Sequence, residues 1–64
     1  MYIVSGQINS NVVKTKSFSS SRDAYKYISS LLNTYEYQIQ EEYDGINGHE
    51  LVADYHTRFY VNEK

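Results

Sequence analysis

The sequence contains no cysteine, so disulfide bonds cannot cross-link it, and no Cys/His cluster suggests a structural zinc ion. A chain of 64 residues makes one domain, and a domain of this size removes only about 60% of its unfolded surface from water. Because small folds without such cross-links usually rely on association with another chain, we expect residues 1–64 to form a single domain that self-associates as a homodimer.

Long apolar runs are also missing. No stretch approaches the roughly 20 apolar residues that span a bilayer, and the first residues lack the basic and apolar regions of a secretory signal. The lack of cysteine is compatible with a reducing compartment. The sequence therefore predicts a soluble, cytoplasmic protein that has no membrane partner.

Motifs of catalysis are absent from the sequence. It has no Gly-rich phosphate loop, no nucleophile elbow, no HExxH and no cysteine nucleophile. A small sheet with one helix rarely encloses the concave site that an enzyme needs, so we expect no catalytic activity and no cofactor. Glu50, Asp54 and His56 would share a strand face, but their spacing matches no recognised set of metal ligands, and we expect no metal site.

The N-terminal third predicts a β-hairpin. "MYIVSGQI" and "VVKTKSF" are rich in residues that suit a pleated surface, and "NSN" between them is typical of a turn. Tyr2, Val4, Gly6 and Ile8 would share one face of the first strand. The alternation of the second strand is weaker and does not show which of its two faces points to the core.

The stretch "FSSSRDAY" predicts the start of a helix. Ser20 can cap it, and Asp23 lies where the acid of a capping box would sit. Apolar residues then recur at spacings of three and four, which predicts one stripe against the sheet. The stripe consists of Ala24, Tyr27, Ile28, Leu31, Leu32 and Tyr35.

Residues 35–43 fit two periods. Their tyrosines and isoleucine alternate as in a strand, but they also continue the helical spacing as far as Tyr43. We favour the strand because Asn33 and Thr34 are poor mid-helix residues, and because the following "DGING" holds the hairpin signals Asp-Gly and Asn-Gly. Gly45 and Gly48 would supply the positive φ angles of that turn.

The last segment predicts one strand with a core face. The odd positions from Leu51 to Val61, which include Tyr55 and Thr57, form the predicted core face, and the even positions between them form a mixed polar and aromatic face. The predicted fold class is α+β, a small antiparallel sheet with one helix on one face in the order ββαββ. The alternative is ββαβ with a long helix over residues 21–43.

Charge is divided along the chain, whose net charge is -2. Residues 1–32 hold four cations against one acid, whereas residues 33–64 hold seven acids against two cations. Tyrosines interleave with these acids, and tyrosine beside carboxylates suits a surface that recognises a basic partner. We therefore predict a partner-binding surface around the hairpin tip. Its residues are Tyr37, Glu41, Glu42, Tyr43, Asp44, His49 and Glu50.

The predicted function is that of a small non-catalytic module that binds a host or cellular protein. Residues with AT-rich codons far outnumber Gly, Ala, Arg and Pro, which together with the small size suggests a phage or mobile-element inhibitor. The alternative is a nucleic-acid-binding regulator that uses the basic half of the chain, although the acidic half would repel phosphates. The candidate residues for that alternative are Lys14, Lys16, Arg22 and Lys26.

Overall fold

The computed structural model describes residues 1–46 and 48–64 and shows a five-stranded antiparallel sheet with one helix. The predicted α+β class is confirmed. In chain order the elements are β1 (Tyr2–Ile8), β2 (Asn11–Phe18), α1 (Ser21–Thr34), β3 (Glu41–Gly45), β4 (Gly48–Asp54) and β5 (Thr57–Glu63). The order of strands across the sheet is β2-β1-β5-β4-β3. In the described ranges no helix has the length and apolarity to cross a membrane.

The first two strands form the predicted hairpin. Asn9 and Ser10 connect them with φ angles of 51° and 68°, and two positive φ angles are the mark of a type I′ turn, whose twist matches that of the strands. Gly6 is required by close approach: a Cβ atom there would lie 2.4 Å from the Arg58 carbonyl oxygen and 2.8 Å from the Phe59 Cα. The glycine thus lets β5 pair closely with β1.

Helix α1 begins at the predicted cap. The backbone N–H of Asp23 donates to Ser20 Oγ at 3.2 Å, and Ser20 itself is extended. Ala24, Ile28 and Leu32 are buried, so the stripe of three- and four-residue spacing packs on the sheet. The stripe ends earlier than predicted, because Tyr35 lies past the helix and is exposed.

The C-terminal end of α1 is a Schellman motif. The N–H of Tyr37 donates to the Leu32 carbonyl at 2.9 Å, and the N–H of Glu36 donates to the Asn33 carbonyl at 3.0 Å. Glu36 adopts the left-handed conformation, with φ of 62°, a position that glycine usually occupies. The chain therefore turns back immediately after Thr34.

For residues 35–43 the long helix is wrong, and the favoured strand is confirmed only for residues 41–43. The long helix over residues 21–43 is excluded by the Schellman motif, and the strand begins only at Glu41. The intervening chain has to return from the helix to the sheet edge. Tyr37 and Ile39 pack against the core on this path, which explains why their alternation resembles a strand.

The C-terminal segment forms two strands where one was predicted, so the order ββαββ is wrong and the observed order is ββαβββ. Tyr55 and His56 form a turn that pairs Asp54 with Thr57. A two-residue turn alone would reverse the odd-even alternation, but the register shift between Val52 and Asp54 adds one residue to β4 and restores it, so the alternation continues through the turn and hides it. Tyr55 lies outside the core with 80% of its surface exposed.

The core lies between α1 and one face of the sheet. Phe59 on the central strand β5 is fully buried beneath the helix, as is Thr57, whose Oγ1 accepts the N–H of Asn9 at 3.0 Å. Within residues 1–46 and 48–64 no helix covers the opposite sheet face, which we call the open face. The remaining buried residues are Val4, Ile8, Ala24, Ile28, Leu32, Leu51, Ala53 and Val61.

Candidate functional site

Alternate residues of β3, β4 and β5 point away from the helix onto the open face. Leu51 and Phe59 are paired and buried under α1, so the residues before and after them point to the opposite side. The open-face residues of these strands include Glu41, Tyr43, Glu50, Val52, Arg58 and Tyr60.

A hollow of about 530 Å³ lies on this part of the open face. It opens to solvent between β3 and the turn that joins β4 to β5. Two tyrosine rings border it with much of their surface accessible, 50% for Tyr43 and 80% for Tyr55. The residues that give the hollow its chemistry are Glu41, Tyr43, Glu50, Val52, Asp54, Tyr55 and Arg58.

The hollow is negatively charged. Arg58 Nη1 donates to Glu50 Oε2 at 3.1 Å, which offsets one of its three carboxylates. The Tyr43 hydroxyl donates to the Glu41 carboxylate, and this hydrogen bond is the main reason that the pKa of Tyr43 is raised. Tyr43 therefore stays a neutral donor at physiological pH and holds Glu41 in place.

On the helix-covered face, His49 bridges two acids of β3. Its Nε2 lies 2.7 Å from Glu42 Oε1 and its Nδ1 lies 2.7 Å from Asp44 Oδ1. A ring that binds a carboxylate through each nitrogen carries a proton on both, and these bonds, with Glu42 first, raise the pKa of His49. We call Glu42, Asp44 and His49 the His49 clamp.

Tyr25 of the helix packs against the clamp. Its ring meets the His49 ring edge-on, with the centroids 6.0 Å apart. Burial, followed by the charges of Glu42 and Asp44, raises the pKa of Tyr25. The clamp therefore links the exposed edge strand β3 both to β4 and to the helix, which is a structural role.

The seven residues predicted for partner binding do not form one surface. Glu41, Tyr43 and Glu50 come together in the hollow on the open face. Three others form the His49 clamp on the opposite face. Tyr37 is separate from both groups, because it packs half-buried against the core after the helix. Binding by any of them stays a prediction.

The hairpin between β3 and β4 closes at the predicted stretch, with Gly45 paired to Gly48 and Ile46 fully exposed beyond them. The Asn-Gly turn signal falls partly on Asn47, which lies outside the described residues. Gly48 has the predicted positive φ, at 102°, but Gly45 does not, so that prediction is wrong for Gly45. A Cβ on Gly48 would also lie 2.4 Å from the Val61 carbonyl oxygen.

Several residues of the hollow were not assigned to a partner site from the sequence. Strand parity places Asp54 on the face of Glu50, so this signal was available. Tyr55 could not be found in the same way, because the alternation runs through its turn. Arg58 of β5 is paired with Val52 of β4. This contact could be predicted only from the register between the two strands, and the sequence pattern indicates a single strand there.

The four basic residues lie outside the hollow. Lys14 and Lys16 belong to the edge strand β2, while Arg22 and Lys26 lie one turn apart on α1, and all four are exposed. Lys16 Nζ stands 4.8 Å from the centroid of the Tyr27 ring, a cation–π contact. Since β2 and β3 are opposite edges, the two lysines lie across the sheet from the acids of β3.

Neither a metal site in the described residues nor a match to a known protein points to a further functional site. Among residues 1–46 and 48–64, no group of three His, Asp or Glu side chains is arranged to hold a metal ion. No family model, curated protein or solved structure matches this chain. A functional proposal therefore rests on the hollow, the His49 clamp and the basic residues themselves.

Proposed function

We propose that this protein is a non-catalytic module that binds another protein through the open face of its sheet. The hollow carries the proposal, because exposed Tyr43 and Tyr55 stand beside carboxylates there. Tyrosine combines rigid apolar area with a polar tip and is enriched among residues that dominate binding energy. Carboxylates around such rings steer a basic partner and exclude acidic ones.

The partner we propose is a host or cellular protein, and the protein acts as an inhibitor encoded by a phage or mobile element. Occupying a surface requires no catalytic group, and a 64-residue chain with one open sheet face can do it. The composition, rich in residues with AT-rich codons, supports this origin. Because the proposed partner is a host or cellular protein, we propose that the protein acts in the cytoplasm.

Photo-cross-linking tests this proposal. A benzophenone amino acid at Tyr55 should form an adduct with one protein in an extract of the host organism. The same group at Ser29, exposed on the outer side of α1, should not form that adduct. Replacing Glu41 and Asp54 by lysine should abolish the Tyr55 adduct. Equal adducts from both positions, or an adduct that survives the charge reversal, would contradict the proposal.

A nucleic-acid-binding regulator is the second candidate. The exposure of Lys14, Lys16, Arg22 and Lys26 favours it, and the two lysines lie on the sheet edge opposite β3. Four phosphate contacts would give a slope of about -3.6 in a plot of log affinity against log salt concentration. Retention on DNA with such a slope, lost when the four residues become alanine, would support this candidate over protein binding.

We also propose that the chain forms a homodimer, because its single thin core has no covalent cross-link. The open face and the outer edge of β2 are the surfaces that a second copy could cover or pair with. Sedimentation velocity at high micromolar concentration should show a dimer. A monomer that also melts at high temperature would contradict self-association.

A further inference from the structure

We propose that the hollow on the open face receives an arginine side chain of the partner protein. The proposal rests on the proposed function and names the chemistry that the open face recognises. Three properties of the hollow support it: its uncompensated negative charge, its accessible aromatic rings and its size.

The negative charge of the hollow favours a cationic ligand. Arg58 pairs with Glu50, which leaves the charges of Glu41 and Asp54 without a cation among the residues that line the hollow. Each of these two carboxylates has one assigned donor in the described part of the chain: the Tyr43 hydroxyl for Glu41, and the Tyr55 N–H for Asp54. A carboxylate offers about four lone-pair directions, so both can accept further N–H donors.

The aromatic rings favour arginine over lysine. The guanidinium group is planar and weakly hydrated, so it can stack on a tyrosine ring while its N–H groups bind carboxylates in pairs. Tyr43 and Tyr55 offer accessible ring surface at the border of the hollow. A lysine ammonium group is a compact, strongly hydrated charge, so it can neither stack as a plane on the ring nor donate a parallel pair of N–H groups to one carboxylate.

The hollow is also large enough for this occupant. Its volume of about 530 Å³ lies within the range of about 300–1,000 Å³ that is typical of small-ligand sites. The half-buried side chain of Val52 gives it an apolar wall, which suits the methylene stem of arginine. The backbone of the partner would remain outside, along β3 and the turn at Tyr55.

A nuclear magnetic resonance titration tests the occupant with three matched probes. N-acetyl-arginine methylamide should shift the amide signals of Tyr43, Val52 and Tyr55. The lysine analogue should shift them less at equal concentration. The citrulline analogue, which keeps the shape of arginine without its charge, should leave them unchanged.

Variants locate the binding charge. Asp54→Asn and Glu41→Gln should each weaken arginine binding about two- to fivefold, the size of one exposed ion pair. Glu63→Gln, which removes an exposed acid of β5 outside the hollow, should leave the affinity unchanged. Equal weakening by all three variants would show general attraction to the acidic protein and would overturn the proposal.

The remaining outcomes distinguish failure of the arginine assignment from failure of the proposed function. Equal shifts from lysine and arginine would overturn the assignment to arginine, and equal shifts from citrulline would overturn the charge argument. If no probe shifts the hollow while the benzophenone at Tyr55 still captures a protein, the binding module stands and the arginine assignment fails. If neither experiment gives a signal, both proposals fail.

Discussion

Substitution of the two hairpin glycines separates a required glycine from a replaceable one. At Gly48 the φ of 102° costs an alanine about 1–3 kcal/mol, and its Cβ would lie 2.4 Å from the Val61 carbonyl oxygen. That oxygen belongs to β5, so β4 must shift against the strand that it pairs with. A 64-residue domain has about 3–10 kcal/mol of stability in all, so Gly48→Ala should remove a large part of it.

Gly45→Ala is the matched control. The nearest atom to a Cβ at this position is the Gly48 carbonyl oxygen at 4.0 Å, and the φ of Gly45 is not positive. We expect a change within about 0.5 kcal/mol, as for an ordinary surface substitution. Urea unfolding followed by circular dichroism gives both values. Equal losses at the two positions, or a harmless Gly48→Ala, would refute the reasoning.

Three further predictions concern stability. The raised pKa of His49 means that the His49 clamp stabilises the fold fully below the unfolded pKa of about 6.5, and that this contribution is lost as pH rises through the folded pKa. The urea midpoint should therefore fall on going from pH 6 to pH 9 by more than it does in His49→Gln; equal slopes would contradict the clamp. Glu36→Gly should raise the unfolding free energy by up to about 1 kcal/mol, since it relieves the left-handed conformation, whereas Glu36→Ala should not. Ser20→Ala should cost about 1 kcal/mol in the same assay through loss of the helix cap, and an unchanged midpoint would exclude that role.

Local signals predicted much of the fold. Short-range periodicity and side-chain chemistry correctly predicted the first hairpin, the Ser20 cap and the buried positions of α1. The turn at Tyr55 and His56 could not be predicted, because neither residue is a strong turn former and because the register shift between Val52 and Asp54 restores the alternation that the turn would reverse. The alternation over residues 35–40 suggested a strand that does not form. An irregular segment leads from the helix back to the sheet edge and buries alternate side chains without strand pairing.

The candidate site was predicted only in part. Glu41, Tyr43 and Glu50 do share a surface, but the intervening residues of β3 point to the helix and form the His49 clamp. This separation follows from the alternation of any strand, and it was missed because the segment was treated as a loop tip. The contribution of Arg58 and Tyr55 depends on a strand pairing that no local pattern reveals.

The binding surface itself is tested most directly by affinity measurements with the protein captured at position 55, once purified. Isothermal titration should show a loss of tenfold or more for Tyr43→Ala combined with Tyr55→Ala, since exposed aromatic anchors dominate binding energy. The control, Arg22→Ala combined with Lys26→Ala on the opposite side of the molecule, should change the affinity less than twofold. A tenfold loss in the helix variant with no loss in the tyrosine variant would contradict binding through the open face.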